Sequence, residues 1–388
     1  MEGSFNNMLW SIFTYGSTLL TLIVFLSLPF REEDTRKIFW FSLFLTLFEC
    51  GLGYYQMLAA QSFRSLNPFA VLGPAAGDNF VGTTFDVGIG NLVAIKMSLT
   101  ALLFIPFWFA DRSIRNSALL LLLMMGWILP SAIYTLLFGL LVVFFFFIAQ
   151  GLVRAALTLK IPSTIFYATV TGVLLLVIFF YTQRNNVEYT IESLKQVYST
   201  ARNEDVTQSS RKIIYIKEIF TKLPEDYPYF PMIGVGPGNY SSRSAWLVSG
   251  EYLEHQPDYI PVTPSEPARK YMIPLWSRKL ITEEYKGGGS ITNQPFSTWF
   301  SLFTELGIAA VILLCLIMLA LYKSFDYAER KLNEPFYANL AIGLKMTILY
   351  LGLIFFVDNL IEWPIVMAQF FVFAALIVRR VESTMNSK

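Results

Sequence analysis

Long apolar runs separated by short polar segments dominate the hydrophobic pattern of this chain. A helix needs about 20 apolar residues to cross the hydrocarbon core of a bilayer, and the sequence offers that length repeatedly. Each run of this length predicts a membrane-spanning helix. The runs lie at 9–30, 38–58, 91–110, 161–182, 298–321 and 338–357.

Three further apolar runs are shorter. Residues 118–152 carry no charged side chain, and Pro130 interrupts them. Because proline breaks the interior of a helix, this stretch predicts two short spans, 118–130 and 133–152, joined by a tight turn. The final run, 364–378, is also short. The whole pattern predicts an all-α polytopic membrane protein with about nine transmembrane helices.

The long segment 183–297 differs in composition from these runs. It holds 13 basic and 13 acidic residues and is rich in tyrosine, proline and glycine. We expect a large, mostly helical loop domain there, with amphipathic helices near 187–200 and 211–222. The rest of the chain then forms an N-terminal membrane bundle over 1–182 with about six spans and a C-terminal bundle over 298–388 with about three.

Lysine and arginine fall in alternate connections between the predicted spans. Short cytoplasmic loops are enriched in both residues, whereas long translocated loops escape this rule. The opposite short loops hold only Arg64. We therefore expect the N-terminus and segment 183–297 outside the cytoplasm and the C-terminus inside it. The basic loops hold Arg31, Arg36, Lys37, Arg112, Arg115, Arg154, Lys160, Lys323, Arg330, Lys331, Arg379, Arg380 and Lys388.

Composition and charge narrow the classes of function. Only 15% of the residues are charged, against roughly 25% in soluble domains, and 55% are hydrophobic. A net charge of +1 provides no bulk attraction to nucleic acid, so no such partner is expected. Cys50 and Cys315 lie in apolar runs, which is typical of buried hydrophobic residues. No cluster has the spacing of metal ligands, and we expect neither a metal nor another cofactor. We also expect no cleavable signal peptide.

A glycine-rich motif in the polar segment is a candidate for chemistry. Gly234, Gly236 and Gly238 alternate with other residues and precede Asn239 and Tyr240. A nucleotide-binding glycine loop needs a strand before it, a helix after it and a cytosolic location, which this segment does not offer. Two interpretations remain. The glycines form a sharp turn, or they let backbone amides approach a phosphate or a sugar.

The order of several motifs resembles the O-antigen ligase and O-antigen polymerase superfamily of bacterial membrane glycan transferases. A Ser-Ser-Arg segment ends at Arg211, the motif Gly-Val-Gly-Pro-Gly-Asn-Tyr follows at 234–240, and the next apolar run carries Glu305-Leu306-Gly307. Weaker similarities lie at 51–56, which ends in a glutamine, and in the Gly-Thr-Thr-Phe stretch 82–85. The resemblance covers roughly residues 40–321.

This resemblance implies a reaction and a set of site residues. Such proteins move a glycan from undecaprenyl pyrophosphate to a sugar hydroxyl outside the bacterial cytoplasmic (inner) membrane, without a metal. Arg211 is then expected to hold the departing diphosphate through its guanidinium group, and Glu305 to act as the base. Residues expected to bind substrate are Lys96, Gly234, Gly236, Gly238, Asn239, Tyr240, Asn293 and Trp299.

Each of these side chains also has an ordinary structural interpretation. Arg211 could be a solvated loop arginine, because many basic residues share its segment. Glu305 could cap a helix, pair with a lysine or orient the loop. Lys96 could reach from a span to the membrane surface, and Trp299 could face lipid.

The reaction itself has more than one interpretation. Ligases of the superfamily carry a histidine shortly before the glycine that corresponds to Gly307, whereas this chain has Phe296 and Ser297 there or, in a shifted register, Asn293 and Gln294. This difference favours a polymerase, which joins lipid-linked repeat units to one another. A ligase that transfers glycan to lipid or protein, or a non-catalytic subunit acting with other polysaccharide-assembly proteins, are the alternatives. A transporter is disfavoured because the two halves show no repeat.

Overall fold

The structure, a computed structural model, is mostly helical in the parts that it describes. No β-strand occurs among these residues, so the all-α prediction is confirmed for them. The described residues are 5–60, 80–84, 90–130, 132–158, 191, 195, 198, 211–245, 264–276, 296–332 and 334–386.

Thirteen α-helices are defined within these ranges, together with a 3₁₀ turn at Gly82–Thr84 and a π-helical turn at Ala268–Met272. In chain order the helices are α1 (Phe5–Ser27), α2 (Glu32–Ala60), α3 (Gly90–Ala110), α4 (Ile114–Ile128), α5 (Ile133–Thr158), α6 (Arg211–Phe220), α7 (Lys222–Asp226), α8 (Phe230–Ile233), α9 (Ile273–Trp276), α10 (Thr298–Leu306), α11 (Ile308–Lys331), α12 (Pro335–Ile354) and α13 (Pro364–Asn386).

Six of the described helices are long and apolar enough to cross a bilayer: α1, α2, α3, α11, α12 and α13. Helices α4 and α5 match the two shorter predicted spans and are separated near Pro130, as expected. The predicted span at 161–182 lies outside the described residues. The count of about nine spans and the boundaries of the loop domain therefore stay predictions.

One predicted span has the wrong boundaries. The apolar run 298–321 is not one helix, because α10 ends at Leu306, α11 begins at Ile308 and Gly307 separates them. Gly307 has a φ of 79°, a left-handed conformation that favours glycine and cannot continue an α-helix. The apolar pattern continues across the break, which is why the sequence gives no sign of it.

The chain separates into two compact units. Unit 1 consists of Met1–Val24, Tyr189–Ala320 and Gly352–Ala368, and unit 2 of Phe25–Glu188, Leu321–Leu351 and Gln369–Lys388. The core of unit 1 is a largely aromatic cluster. Its buried members are Tyr215, Ile219, Leu223, Phe230, Val235, Tyr240, Tyr271, Met272 and Phe296.

Helix α3 lies at the centre of unit 2. Its residues from Leu92 to Ile105 are mostly apolar and, apart from the partly exposed Lys96, buried, which is typical of a helix surrounded by other helices. Gly343 of α12 packs directly on its backbone, since a Cβ atom there would lie 2.8 Å from the Cα of Leu103. Close backbone contacts at small residues are common between membrane helices.

Candidate functional site

A buried carboxylate fixes the glycine-rich motif of unit 1. Glu305 is fully buried, and its Oε2 accepts the backbone N–H of Gly238 at 2.7 Å. Its Oε1 accepts the N–H groups of Tyr240 at 3.0 Å and Ser242 at 2.7 Å. Burial raises the pKa of the Glu305 carboxyl, and the bonds from Ser242 and Gly238 act against that effect. The three N–H groups form a concave anion site, and it is filled by a side chain of the protein itself.

Two glycines allow the motif and the α10–α11 break to meet backbone to backbone. A Cβ atom on Gly234 would lie 2.1 Å from the carbonyl oxygen of Glu305, and one on Gly307 would lie 2.2 Å from the carbonyl oxygen of Met232. Backbone hydrogen bonds complete the contact, with the N–H of Val235 donating to Thr304 at 2.8 Å. The glycines of the motif therefore serve this crossing as well as the turn itself.

Replacement of Gly234 by alanine is expected to lower the free energy of unfolding by about 3 kcal/mol. The reason is twofold: φ is 73° at this position, and the added methyl group meets main-chain atoms that cannot rotate away. Gly352→Ala is the matched control, because that glycine also belongs to unit 1 and has open space around its Cβ position. Thermal denaturation of both purified variants in detergent measures the difference. Equal melting temperatures of the two variants would contradict the close backbone contact between Gly234 and Glu305.

Arg211 is held inside unit 1. It is only 4% exposed, so it is not a solvated surface side chain, and its Nη1 donates to the carbonyl oxygen of Leu275 at 3.2 Å. One turn later on α6, the hydroxyl of Tyr215 lies 2.8 Å from that of Ser241, next to the glycine-rich motif. Helix α6 therefore links the predicted diphosphate-binding arginine to the motif, while the catalytic role itself stays a prediction.

Two cations that sequence reasoning missed lie on the turn between α12 and α13. The Nζ of Lys212 donates to the carbonyl oxygen of Val357 at 2.7 Å, and burial lowers the pKa of this lysine to about 7. The Nη2 of Arg243 lies 2.7 Å from the Oδ1 of Asp358. The guanidinium of Arg243 also lies 4.3 Å from the ring centroid of Trp363. Their positions next to Arg211 and just after the motif were the only signals available in the sequence.

A second buried carboxylate, Glu362, accepts further backbone N–H groups of the same segment. Glu362 accepts the backbone N–H groups of Arg243 at 3.1 Å and Ser244 at 3.2 Å, directly after the residues bound by Glu305. It also accepts the hydroxyl of Thr14 from α1 at 3.2 Å. Burial, and then the nearby charge of Glu305, raise the pKa of Glu362 to about 7. Residues 238–244 are thus held along their length by two carboxylates.

One buried carboxylate oxygen beside these groups has no partner among the described residues. Asp358 is fully buried, and its Oδ2 has no hydrogen-bond partner in the part of the chain that the structure describes. A buried carboxylate oxygen rarely stays unsatisfied unless a water or a ligand supplies the donor. It lies on the side chain that pairs with Arg243, so a polar ligand there would meet both charges.

The aromatic and amide residues predicted to bind substrate have structural contacts. Tyr240 is 1% exposed and belongs to the core of unit 1. The Nδ2 of Asn239 donates to the carbonyl oxygen of Val235 at 3.3 Å. The indole of Trp299 donates to the carbonyl oxygen of Gly352 at 3.0 Å. Asn293 lies outside the described residues.

Unit 2 contains a separate polar cluster around Lys96. The Nζ of Lys96 forms an ion pair with Glu49, whose other oxygen accepts the hydroxyl of Thr83 at 3.1 Å. The Nε2 of Gln56 donates to the carbonyl oxygen of Gly82 at 2.8 Å. The structure therefore brings Lys96 together with both of the weaker motifs. Lys96 is therefore paired with a carboxylate within unit 2, and its role in binding substrate stays a prediction.

Comparisons with known proteins give no relative from which a function could be transferred. No protein-family model, no curated protein and no solved structure matches this chain. Among the described residues, no group of histidine, cysteine, aspartate and glutamate side chains has the arrangement of a metal site. The described residues show an all-α architecture, with six helices long and apolar enough to cross a membrane and a buried polar cluster in unit 1.

Proposed function

We propose that this chain is a polymerase-type glycosyltransferase of bacterial surface polysaccharide biosynthesis. It moves a glycan from undecaprenyl pyrophosphate to a sugar hydroxyl of a second lipid-linked repeat unit at the outer face of the cytoplasmic membrane. One observation carries the proposal. The glycine-rich turn is hydrogen-bonded to Glu305, and the helix that begins at Arg211 is hydrogen-bonded through Tyr215 to Ser241, the residue that follows the turn.

The charges of this cluster suit a diphosphate leaving group. The bond from the anomeric carbon to the diphosphate breaks, and the leaving oxygen keeps the electron pair, so negative charge develops there. Cations fixed in a partly dehydrated site stabilise that charge strongly. Arg211 and Arg243 supply fixed positive charge, and Lys212, with its pKa of about 7, is protonated in part at neutral pH. The planar guanidinium of arginine matches two phosphate oxygens at once.

The carboxylates divide into different roles. Both oxygens of Glu305 already accept backbone N–H groups, which favours a positioning role for this residue over that of a base. Asp358 keeps one buried oxygen without a partner among the described residues. In the proposed reaction, that oxygen accepts the proton of the attacking sugar hydroxyl as the new bond to the anomeric carbon forms.

The direct test uses purified protein in vesicles with lipid-diphosphate-linked repeat units as the only substrate. We expect a ladder of longer glycans, and we expect Arg211→Ala to reduce its rate about 100-fold or more. Lys217→Ala is the matched control, because this lysine lies exposed on the same helix. Arg211→Lys keeps the positive charge and shows whether charge alone is sufficient for transfer. A melting curve of each variant shows whether a loss of activity results from misfolding.

The outcomes separate the alternatives. Transfer that occurs only after a lipid or protein acceptor is added identifies a ligase. A full ladder from a correctly folded Arg211→Ala variant removes this arginine from the mechanism. No transfer under any of these conditions, with folded wild-type protein, contradicts the enzymatic proposal and favours a non-catalytic subunit of a polysaccharide assembly complex.

A further inference from the structure

A polar cavity of about 110 Å³ lies in unit 2. Arg31 lies between α1 and α2, and Arg379 and Arg380 lie near the C-terminal end of α13. The cavity is therefore formed by residues at the ends of membrane-spanning helices, where the sequence predicts the cytoplasmic face. Its polar lining consists of Arg31, Thr35, Tyr337, Arg379, Arg380 and Ser383.

The arginines are anchored by neighbouring groups. The Nη1 of Arg379 donates to the carbonyl oxygen of Leu26 at 2.5 Å. The Nη2 of Arg380 lies 2.8 Å from the Oε1 of Glu334, and its guanidinium is 5.3 Å from the ring centroid of Tyr337. These contacts hold two guanidinium groups in place at the cavity.

Positive charge exceeds negative charge around the cavity. Glu334 is shared between Arg380 and Arg36, whose Nη2 lies 3.1 Å from its Oε2. Asp34 accepts the backbone N–H of Arg31 at 3.0 Å. Three arginines, Arg31, Arg379 and Arg380, line the cavity, and the lining includes no acidic side chain among the described residues. This lining suits an anion such as a phosphate group.

The size and chemistry of the cavity define the ligand further. A volume of about 110 Å³ corresponds to roughly three or four waters, whereas drug-sized ligands need about 300 Å³ or more. A single tetrahedral anion fits, and guanidinium groups with hydroxyls from Thr35 and Ser383 suit its oxygens. Basic pockets between membrane helices on the cytoplasmic side bind the head groups of anionic lipids.

We infer that this cavity binds a phosphate group, either that of an anionic lipid headgroup or free phosphate. The site shares no residue with the polar cluster of unit 1, because all its lining residues belong to unit 2. Binding there ties the start of α2 to the end of α13 through a shared anion. The expected consequence is a higher melting temperature in the presence of the ligand.

The test measures the melting temperature of the purified full-length protein during three titrations. The probes are short-chain phosphatidic acid, phosphatidylcholine of the same chain length, and inorganic phosphate. We expect saturable protection by phosphatidic acid and much weaker protection by phosphatidylcholine. In Arg31→Gln we expect the affinity for phosphatidic acid to fall about tenfold. Arg31 is exposed, so this change should leave the fold intact, and Arg31→Lys should recover part of the affinity.

Two comparisons decide the outcome. Inorganic phosphate that protects equally well and competes with phosphatidic acid identifies free phosphate as the ligand, and failure to compete identifies the lipid. Arg330→Gln is the matched control, since this exposed arginine of unit 2 does not line the cavity. Unchanged affinity in Arg31→Gln, equal weakening in Arg330→Gln, or no protection by any probe would overturn the inference.

Discussion

Replacing Glu305 by alanine is expected to lower the free energy of unfolding by about 5 kcal/mol. The change leaves the buried N–H groups of Gly238, Tyr240 and Ser242 without their acceptor, and each unsatisfied buried donor costs about 1–3 kcal/mol. Melting temperature in detergent, or the yield of folded protein, measures the loss. Glu218→Ala is the control, because that carboxylate pairs only with the exposed Lys222 side chain among the contacts observed.

Glu305→Gln separates a positioning role from that of a base. Glutamine keeps one acceptor oxygen but directs an amide donor at backbone N–H groups, so stability and glycan transfer should fall together. A base would behave differently: transfer would disappear while the melting temperature stayed within a degree or two of wild type. That second pattern would contradict the positioning role that the three hydrogen bonds to Glu305 indicate.

Replacing Arg243 by methionine is expected to lower the free energy of unfolding by about 4 kcal/mol. Asp358 is fully buried, and loss of its partner leaves an uncompensated charge in the interior of unit 1. The packing of the guanidinium against Trp363 is lost as well. Thermal denaturation at neutral pH measures the effect, and Arg269→Met is the control on an exposed arginine of the same unit.

The double variant Arg243→Met/Asp358→Asn tests the cause. If the buried charge accounts for the loss, neutralising Asp358 should restore much of the stability, and the two changes should be far from additive. Additive losses would show that Arg243 stabilises unit 1 by packing alone. Glycan transfer should stay low in the double variant, because it lacks both a cation and the carboxylate proposed to accept the hydroxyl proton.

The spanning helices could be predicted from the sequence because the bilayer requires a fixed apolar length, which is a local property. The break at Gly307 could not. Apolar residues continue on both sides of it, and the glycine is required by contact with Met232, which lies far away in the sequence. Hydrophobic periodicity contains no information on such a backbone crossing.

The candidate site shows the same division. Arg211, the glycine-rich turn and Glu305 could be proposed because short motifs in a fixed order point to them. Lys212 and Arg243 could not, because their roles depend on pairings between distant segments, such as the 115-residue separation between Arg243 and Asp358. The ion pair of Lys96 with Glu49 joins two predicted spans and was equally hidden from a sequence read segment by segment.

Glycan transfer outside the cytoplasmic membrane requires the polar cluster of unit 1 to face away from the cytoplasm. The most direct measurement is labelling of Lys217→Cys in intact cells with a membrane-impermeant maleimide, in a Cys50→Ala/Cys315→Ala background that removes both native thiols. Arg330→Cys, in the last turn of α11 and on the predicted cytoplasmic side, provides the comparison. We expect the cysteine at position 217 to react in intact cells and the one at position 330 only after permeabilisation. The reverse pattern would contradict the proposed function.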